Sequence, residues 1–283
     1  MDELKFTFYG VRGSYPVSNR KFIKFGGNTT SLLFETGSEI FVIDAGTGIV
    51  NAGEYIQKKE NIKTINIFLT HLHVDHIMGL PFFNPLYDKE MRINLYCFKY
   101  PGFKYEDKIY SLFNQPLSPI SQKGILADLR FYTFGESVNT PVIINDNTRV
   151  NCLKDDLHPK SGVLIYRVDF YDKKIVFATD IESKKGFKGE YSDFIKNADI
   201  LIHDSQYTDS DYRSKSNSKA GYGHSTVDMA VSNAIKMNVE KLFLFHYSPE
   251  YSDKKLENML KHARKKFKNT YLSKESKLNK LRR

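Results

Sequence analysis

The chain has 283 residues, 41% hydrophobic and 14% aromatic, which is enough apolar material for one large core. Met1-Asp2-Glu3-Leu4-Lys5 is followed by no apolar region of signal-peptide length, no run approaches a membrane span, and Cys97 and Cys152 form no C-x-x-C pair. No secretion signal, membrane span or disulfide framework is therefore expected, and a soluble cytoplasmic protein is the expectation. The net charge of +9 is concentrated at one end: residues 254–283 hold twelve Lys/Arg and two Glu, which leaves the rest nearly neutral.

In chain order, residues 4–11 alternate like a strand and end in Gly10-Val11-Arg12-Gly13-Ser14-Tyr15-Pro16, a turn rich in backbone breakers. Arg12 there reads as a solvated side chain or a phosphate contact. Gly26-Gly27-Asn28-Thr29-Thr30 is a second turn, before strands over 31–35 and 39–43. Asp44 opens a strand-to-helix turn and reads as a carboxylate accepting backbone N–H groups, with a helix over 49–58 beyond it. A strand over 65–69 and a short helix stopped at Pro81 come next. Residues 100–136 are the least regular part: Tyr100, Phe103 and Tyr105 beside Lys104 read as a loop with its own small core, or as a platform for a base or sugar. Strands over 140–144, 149–153, 162–171, 174–178, 199–203 and 241–245 are expected to pair antiparallel. Leu256, Met259, Leu260, Ala263 and Phe267 recur at helical spacing, so an amphipathic helix should pack on the domain. Residues 1–267 thus read as one domain and 268–283 as a solvated basic tail, serving solubility or contact with RNA or another anionic surface.

The stretch that constrains function is Thr70-His71-Leu72-His73-Val74-Asp75-His76, at the end of the strand over 65–69. His71 and His73 are two apart and share one side of extended chain, whereas Asp75 and His76 open the next turn and face a neighbouring point. One motif can serve two adjacent ions. Imidazole and carboxylate donors without thiolate suit zinc, manganese or iron in a hydrolytic site better than a closed structural zinc.

His71-x-His73-x-Asp75-His76 after an apolar strand resembles the signature of the metallo-β-lactamase-fold hydrolases. The further blocks of that family follow in order: His158 after Asp156-Leu157, Asp180 closing the run over 175–179, and His246 closing the run over 242–245. The resemblance implies an α+β, four-layer αββα sandwich, a fold that periodicity alone does not yield. It also implies two divalent metal ions, zinc first, with manganese or iron as alternatives. His71, His73 and His158 would hold one ion and Asp75, His76 and His246 the other, with Asp180 bridging and room left for a bridging hydroxide. Asp44 would support the metal loop from behind.

Tyr222-Gly223-His224-Ser225-Thr226 precedes a helix with Val227, Ala230, Val231, Ala234 and Ile235, and Ser225-x-x-Asp228 has the form of a capping box. A helix start favours phosphate, and a nearby imidazole can protonate a departing oxygen. With Ile202-His203-Asp204-Ser205 upstream, this block is similar to the catalytic blocks of ribonuclease Z and of cyclic-phosphate phosphodiesterases. The similarity implies that His224 is the general acid, that Asp204 or His203 orients it, and that Asp75 belongs with them among the catalytic residues. The chain has His-Asp where ribonuclease Z has His-Glu. The opening Gly-Val-Arg-Gly-Ser and Asp156-Leu157-His158-Pro159 look more like bacterial small-diester phosphodiesterases, and no long glycine- and proline-rich insertion is present. The expectation is hydrolysis of a small cyclic nucleotide or cyclic phosphoribosyl diester. Transfer-RNA 3′ processing in the manner of ribonuclease Z is the alternative, ahead of thioester or lactone hydrolysis. RNA binding through the basic tail and a homodimer are left open.

Overall fold

The computed structural model describes residues 2–119, 121–134, 140–155, 158 and 162–283. By contact the chain divides into two compact units, one of Met1–Gly10, Asn28–Ser137 and Glu275–Arg282, the other of Val11–Gly27, Val138–Lys274 and Arg283.

The first unit contains β1 (Glu3–Gly10), β2 (Ser31–Thr36), β3 (Glu39–Ile43), α1 (Gly48–Gln57), β4 (Thr64–Phe68), α2 (Val74–Ile77), β5 (Arg92–Phe98), α3 (Tyr105–Ser111), β6 (Asp128–Phe134) and the last strand of the chain, β14 (Leu278–Arg282). Its seven-stranded sheet runs β14-β1-β2-β3-β4-β5-β6. The pairs from β14 to β3 are antiparallel, and those from β3 to β6 parallel. Connections explain the change. Gly37-Ser38 turns β2 directly into β3, with Gly37 at φ 59°, whereas α1 carries the chain from the end of β3 back to the start of β4.

The second unit contains β7 (Val142–Asn145), β8 (Thr148–Asp155), β9 (Val163–Phe170), β10 (Lys173–Ala178), α4 (Glu190–Ile195), β11 (Ile200–Asp204), α5 (Asp209–Tyr212), α6 (Val227–Lys236), β12 (Lys241–Phe245), α7 (Asp253–Lys266) and β13 (Thr270–Leu272). Its sheet, β13-β12-β11-β10-β9-β8-β7, repeats the plan: antiparallel from β7 to β10, parallel from β10 to β13. The antiparallel pairing expected throughout this half therefore holds only as far as β10. Beyond it α4, α6 and α7 act as crossovers, and crossovers make neighbours parallel. Every residue of β11 is buried, as is β12 after Lys241, which is the continuous burial of central parallel strands.

The segment 268–283 is no solvated tail. It supplies β13 and β14, and β14 pairs with β1 over Glu3–Thr7, with Leu281 buried. The alternation of residues 278–282 is hidden in the sequence by Lys280 and Arg282, the kind of charge that protects an edge strand. The helix expected just before it is α7, with Leu256, Met259 and Ala263 buried.

Both readings of Arg12 are also corrected. It is wholly buried, donates to Gly26 O at 2.9 Å and Tyr251 O at 2.7 Å, pairs with Asp253 and lies over the Phe22 ring. An arginine so enclosed is a structural tie within the second unit. Cys97 and Cys152 are buried strand residues, and burial pushes the Cys97 thiol up. Among the described residues no helix is long and apolar enough to cross a membrane.

Candidate active site

Most of the residues that carry chemistry lie at the carboxyl ends of parallel strands in both units, where open α/β sheets place ligands, while His158 follows the antiparallel β8 and His224 precedes α6. Three of them, Asp44 after β3, Asp180 after β10 and His246 after β12, have positive φ of 63°, 55° and 60°. Such backbone is costly for a residue with a side chain, and it persists where a precise orientation is needed.

In the first unit, Asp44 organises the histidine loop. It accepts from Thr70 N at 2.8 Å and stands 2.8 Å from His76 Nδ1, while the Thr70 hydroxyl bridges Asp44 and His71 Nδ1 at 2.9 and 3.0 Å. A carboxylate only accepts, so His76 carries its proton on Nδ1; the hydroxyl donates to Asp44 and accepts from His71 Nδ1. Both rings are thereby set to present Nε2. Burial pushes the Asp44 carboxyl up, opposed by the His76 and Thr70 contacts. The expectation that Asp44 supports the loop from behind agrees with these contacts. The His71 ring lies 4.4 Å from that of His73, which is exposed, and 4.3 Å from that of His76. Tyr100, not singled out as a support beforehand, accepts from Leu72 N at 3.1 Å and so steadies the same loop.

In the second unit, ligand atoms of Asp180, Asp204, His224 and His246 all lie within 4.8 Å of one another. Distances separate two kinds of pair here. Two donors bound tetrahedrally to one ion at about 2.0–2.2 Å stand about 3.3–3.6 Å apart, longer than a good hydrogen bond. Asp180 Oδ2 to His246 Nε2 is 3.3 Å, Asp75 Oδ2 to His76 Nε2 in the first unit is 3.5 Å, and His158 Nε2 is 4.0 Å from Asp180 Oδ1. The first two are metal-ligand spacings, the third is somewhat longer, and the residues present fit divalent ions. Asp156, Leu157 and Pro159 around His158 lie outside the described residues.

Asp204 and His224 form the other kind of pair, 2.8 Å apart. Asp204 is fully buried and collects three backbone donors besides: Asp180 N at 3.0 Å, Gln206 N at 3.0 Å and Ser225 N at 3.1 Å. One carboxylate thus holds the Asp180 backbone, the segment after β11 and the imidazole. His224 donates Nδ1–H to it, which leaves Nε2 as the working atom.

His203 does not share this role. Successive strand residues face opposite sides, so only one of His203 and Asp204 can reach His224. The His203 ring instead donates to the Asp204 carbonyl at 2.6 Å and accepts from Asn233 at 3.0 Å, and burial holds its pKa down. It ties β11 to α6. The helix cap is also corrected: Thr226 accepts from Met229 N at 3.2 Å, because the Ser225 hydroxyl is occupied by Ile181 O and Ser183.

Besides Tyr100, three further supports were not recognised in the sequence. The Gln206 amide oxygen lies 3.0 Å from His246 Nδ1 and fixes that ring with Nε2 as its donor atom. A Cβ at Gly13 would stand 2.3 Å from His246 Cε1, so the glycine makes room for the ring. Glu182 accepts from Tyr212 OH, from Gly221 N at 2.7 Å and from Gly223 N at 3.4 Å, clamping the loop that carries His224. Burial pushes its carboxyl up, but the Tyr212, Gly221 and Lys184 contacts outweigh this and hold it below the usual value. A sequence signal existed only for Gly13, inside the breaker-rich opening turn.

Imidazoles and carboxylates at strand ends, held by buried partners at metal-ligand spacing, define a metal-dependent hydrolase. The chain belongs to the β-lactamase superfamily, since the family model described as the Beta-lactamase superfamily domain matches residues 40–247. Among its relatives, a ribonuclease Z of Picrophilus torridus is 29% identical, covering 96% of this chain and 94% of that protein. Among solved structures, YhfI of Bacillus subtilis, a metallo-β-lactamase fold protein, has a TM-score of 0.73 at 18% identity, covering 99% of this chain and all of that one. A diphosphatase of the PhnP family has a TM-score of 0.69 at 18% identity, covering 99% of this chain and 98% of that one. The expected metallo-β-lactamase fold is thereby established.

Proposed function

We propose that this hydrolase cleaves RNA phosphodiester bonds in the manner its ribonuclease Z relatives are named for, with transfer-RNA 3′ processing as the specific reaction. The observation that carries phosphodiester chemistry is the Asp204–His224 pair beside Asp180 and His246. A sugar alkoxide is a poor leaving group and needs a proton as its bond breaks, which thiolates and carboxylates do not. His224 supplies that proton from Nε2, and Asp204 holds the ring in the right tautomer and stabilises its charged form. The likeness to ribonuclease Z over nearly the full length of both chains ranks RNA ahead of a small diester. A small cyclic diester is the second reading, supported by the missing glycine- and proline-rich insertion.

The donor chemistry of His71, His73, Asp75, His76, His158, Asp180 and His246 fits two divalent ions, zinc first and manganese or iron as alternatives. Such ions supply an acidified water and positive charge for the diester oxygens. The remaining work falls to protein groups: Asp44 and Gln206 fix ring orientation, and Asp204 fixes the acid.

Turnover of precursor transfer RNA, cyclic nucleotides and cyclic ribose phosphates by the metal-loaded protein tests the ranking. Cleavage of the RNA at its 3′ side supports it; activity on cyclic phosphates alone reverses it. Metal content should approach two equivalents, and Asp180→Ala should lose metal, because an anionic ligand is what offsets adjacent dications. Full activity at one equivalent refutes the two-ion reading.

A further inference from the structure

The solvent side of α7 is a basic stripe. At about 100° per residue, Lys254, Lys261 and Lys265 fall within about 40° of arc, and 1.5 Å per residue spreads them over about 17 Å. All three are exposed, as is Lys268 just past the helix end, while Leu256, Met259 and Ala263 are buried on the opposite side. The acidic residues of α7 offset the stripe only in part, through Glu257 beside Lys261. Asp253 accepts from Lys24 N and pairs with Arg12, and Glu257 is held by the Lys24 ammonium. The helix is also fixed relative to the acid. His262 and Lys266 contact Asp228 at 2.8 and 2.7 Å, and Asp228 lies in the first turn of α6, four residues beyond His224.

We infer that this face of α7 grips the phosphate backbone of the RNA substrate away from the cleaved bond, a role that rests on the RNA reading above. Charge complementarity is the argument. Residues 254–268, the helix and the residues just past it, hold seven Lys/Arg against one Glu, and Lys254, Lys261, Lys265 and Lys268 are the exposed ones on a single face, so this face offers a polyanion a row of positive charge. Lysines on a helix tied to the first turn of α6 by His262 and Lys266 give it a footprint that is fixed relative to that helix.

The test uses full-length, metal-loaded protein and the variant Lys254→Gln/Lys261→Gln/Lys265→Gln/Lys268→Gln, with the four Lys→Arg changes as the charge-keeping control. KM and kcat are measured on precursor transfer RNA between about 50 and 200 mM salt, and turnover of bis(p-nitrophenyl) phosphate reports that the site is intact. The Gln variant should raise KM for RNA by about tenfold or more and flatten the dependence of log KM on log salt by about three, at about 0.7–0.9 per lost phosphate contact. Turnover of the small diester should be unchanged, and the Arg variant should behave like the parent. RNA cleaved with unaltered KM and salt slope overturns the inference while leaving the function standing. Parent protein that cleaves small diesters and no RNA overturns the function itself. Loss of binding to phosphatidylserine vesicles, with RNA kinetics intact, assigns the stripe to a membrane surface and overturns it too.

Discussion

Replacing His224 by alanine isolates the proton transfer from everything else at the site. The ring makes its hydrogen bond to Asp204 at 2.8 Å, and removing it leaves that carboxylate with three backbone donors, from Asp180, Gln206 and Ser225. The lost charge-assisted bond costs about 1.5–3 kcal/mol of stability, which a folded domain tolerates; His246 loses a ring stacked at 5.0 Å, but its hydrogen bond to Gln206 and that of His76 to Asp44 remain. Metal content should therefore survive. The barrier for a sugar leaving group should rise by about 2.7–5.4 kcal/mol, a roughly hundred- to ten-thousand-fold fall in kcat. An activated diester that releases p-nitrophenolate scarcely needs the proton and should lose far less. The assay is kcat for an RNA diester and for bis(p-nitrophenyl) phosphate, in parent and variant, with metal measured in each. Equal losses on both substrates with metal intact would show that His224 binds phosphate rather than donating a proton. No loss on either would refute the assignment and remove the main reason for preferring a phosphodiesterase over a thioester hydrolase.

Other changes test the supports. Gly13→Ala places a methyl 2.3 Å from His246 Cε1, so that ring must shift; metal analysis should show reduced occupancy, and full occupancy would refute the fit. Glu182→Gln cannot accept from Tyr212, Gly221 and Gly223 as a carboxylate does, and should lower kcat on RNA with metal retained. Because the folded carboxyl lies below its ordinary 4.5, its stabilisation is complete above that pH and fades as pH falls through the lower folded value. Denaturation measured from about pH 7 to pH 3 should thus show a shallower acid loss in the Gln variant than in the parent, and identical slopes would refute the clamp. Deleting residues 275–283 removes β14, the Leu281 side chain and the Glu275 bonds to Asn28, at 2.7 and 2.9 Å. Urea unfolding should report a loss of about 2–4 kcal/mol; a neutral deletion would mean that the strand contributes nothing to folding.

The sequence by itself marked the candidate donor residues and the candidate acid, because imidazoles and carboxylates closing apolar strands stand out from ordinary core or surface and their order along the chain is readable without coordinates. His71, His73, Asp75, His76, Asp180 and His246 all follow strands found within a residue or two of their expected bounds. What only the tertiary structure decided depends on partners distant in sequence. His203 and Asp204 are adjacent letters, and the pleat, together with the return of the chain at residue 224, selects the second as the orienting group. Arg12 looks like any arginine in a turn until Gly26, Ser248 and Tyr251 bring carbonyls to it. Residues 278–282 read as solvated charge until β1 offers an edge with unpaired backbone groups, since a ladder's hydrogen bonds are independent of side-chain identity. Local pattern fixes the direction of a side chain and the length of an element; which distant carbonyl, carboxylate or strand edge meets it is set only when the chain closes on itself.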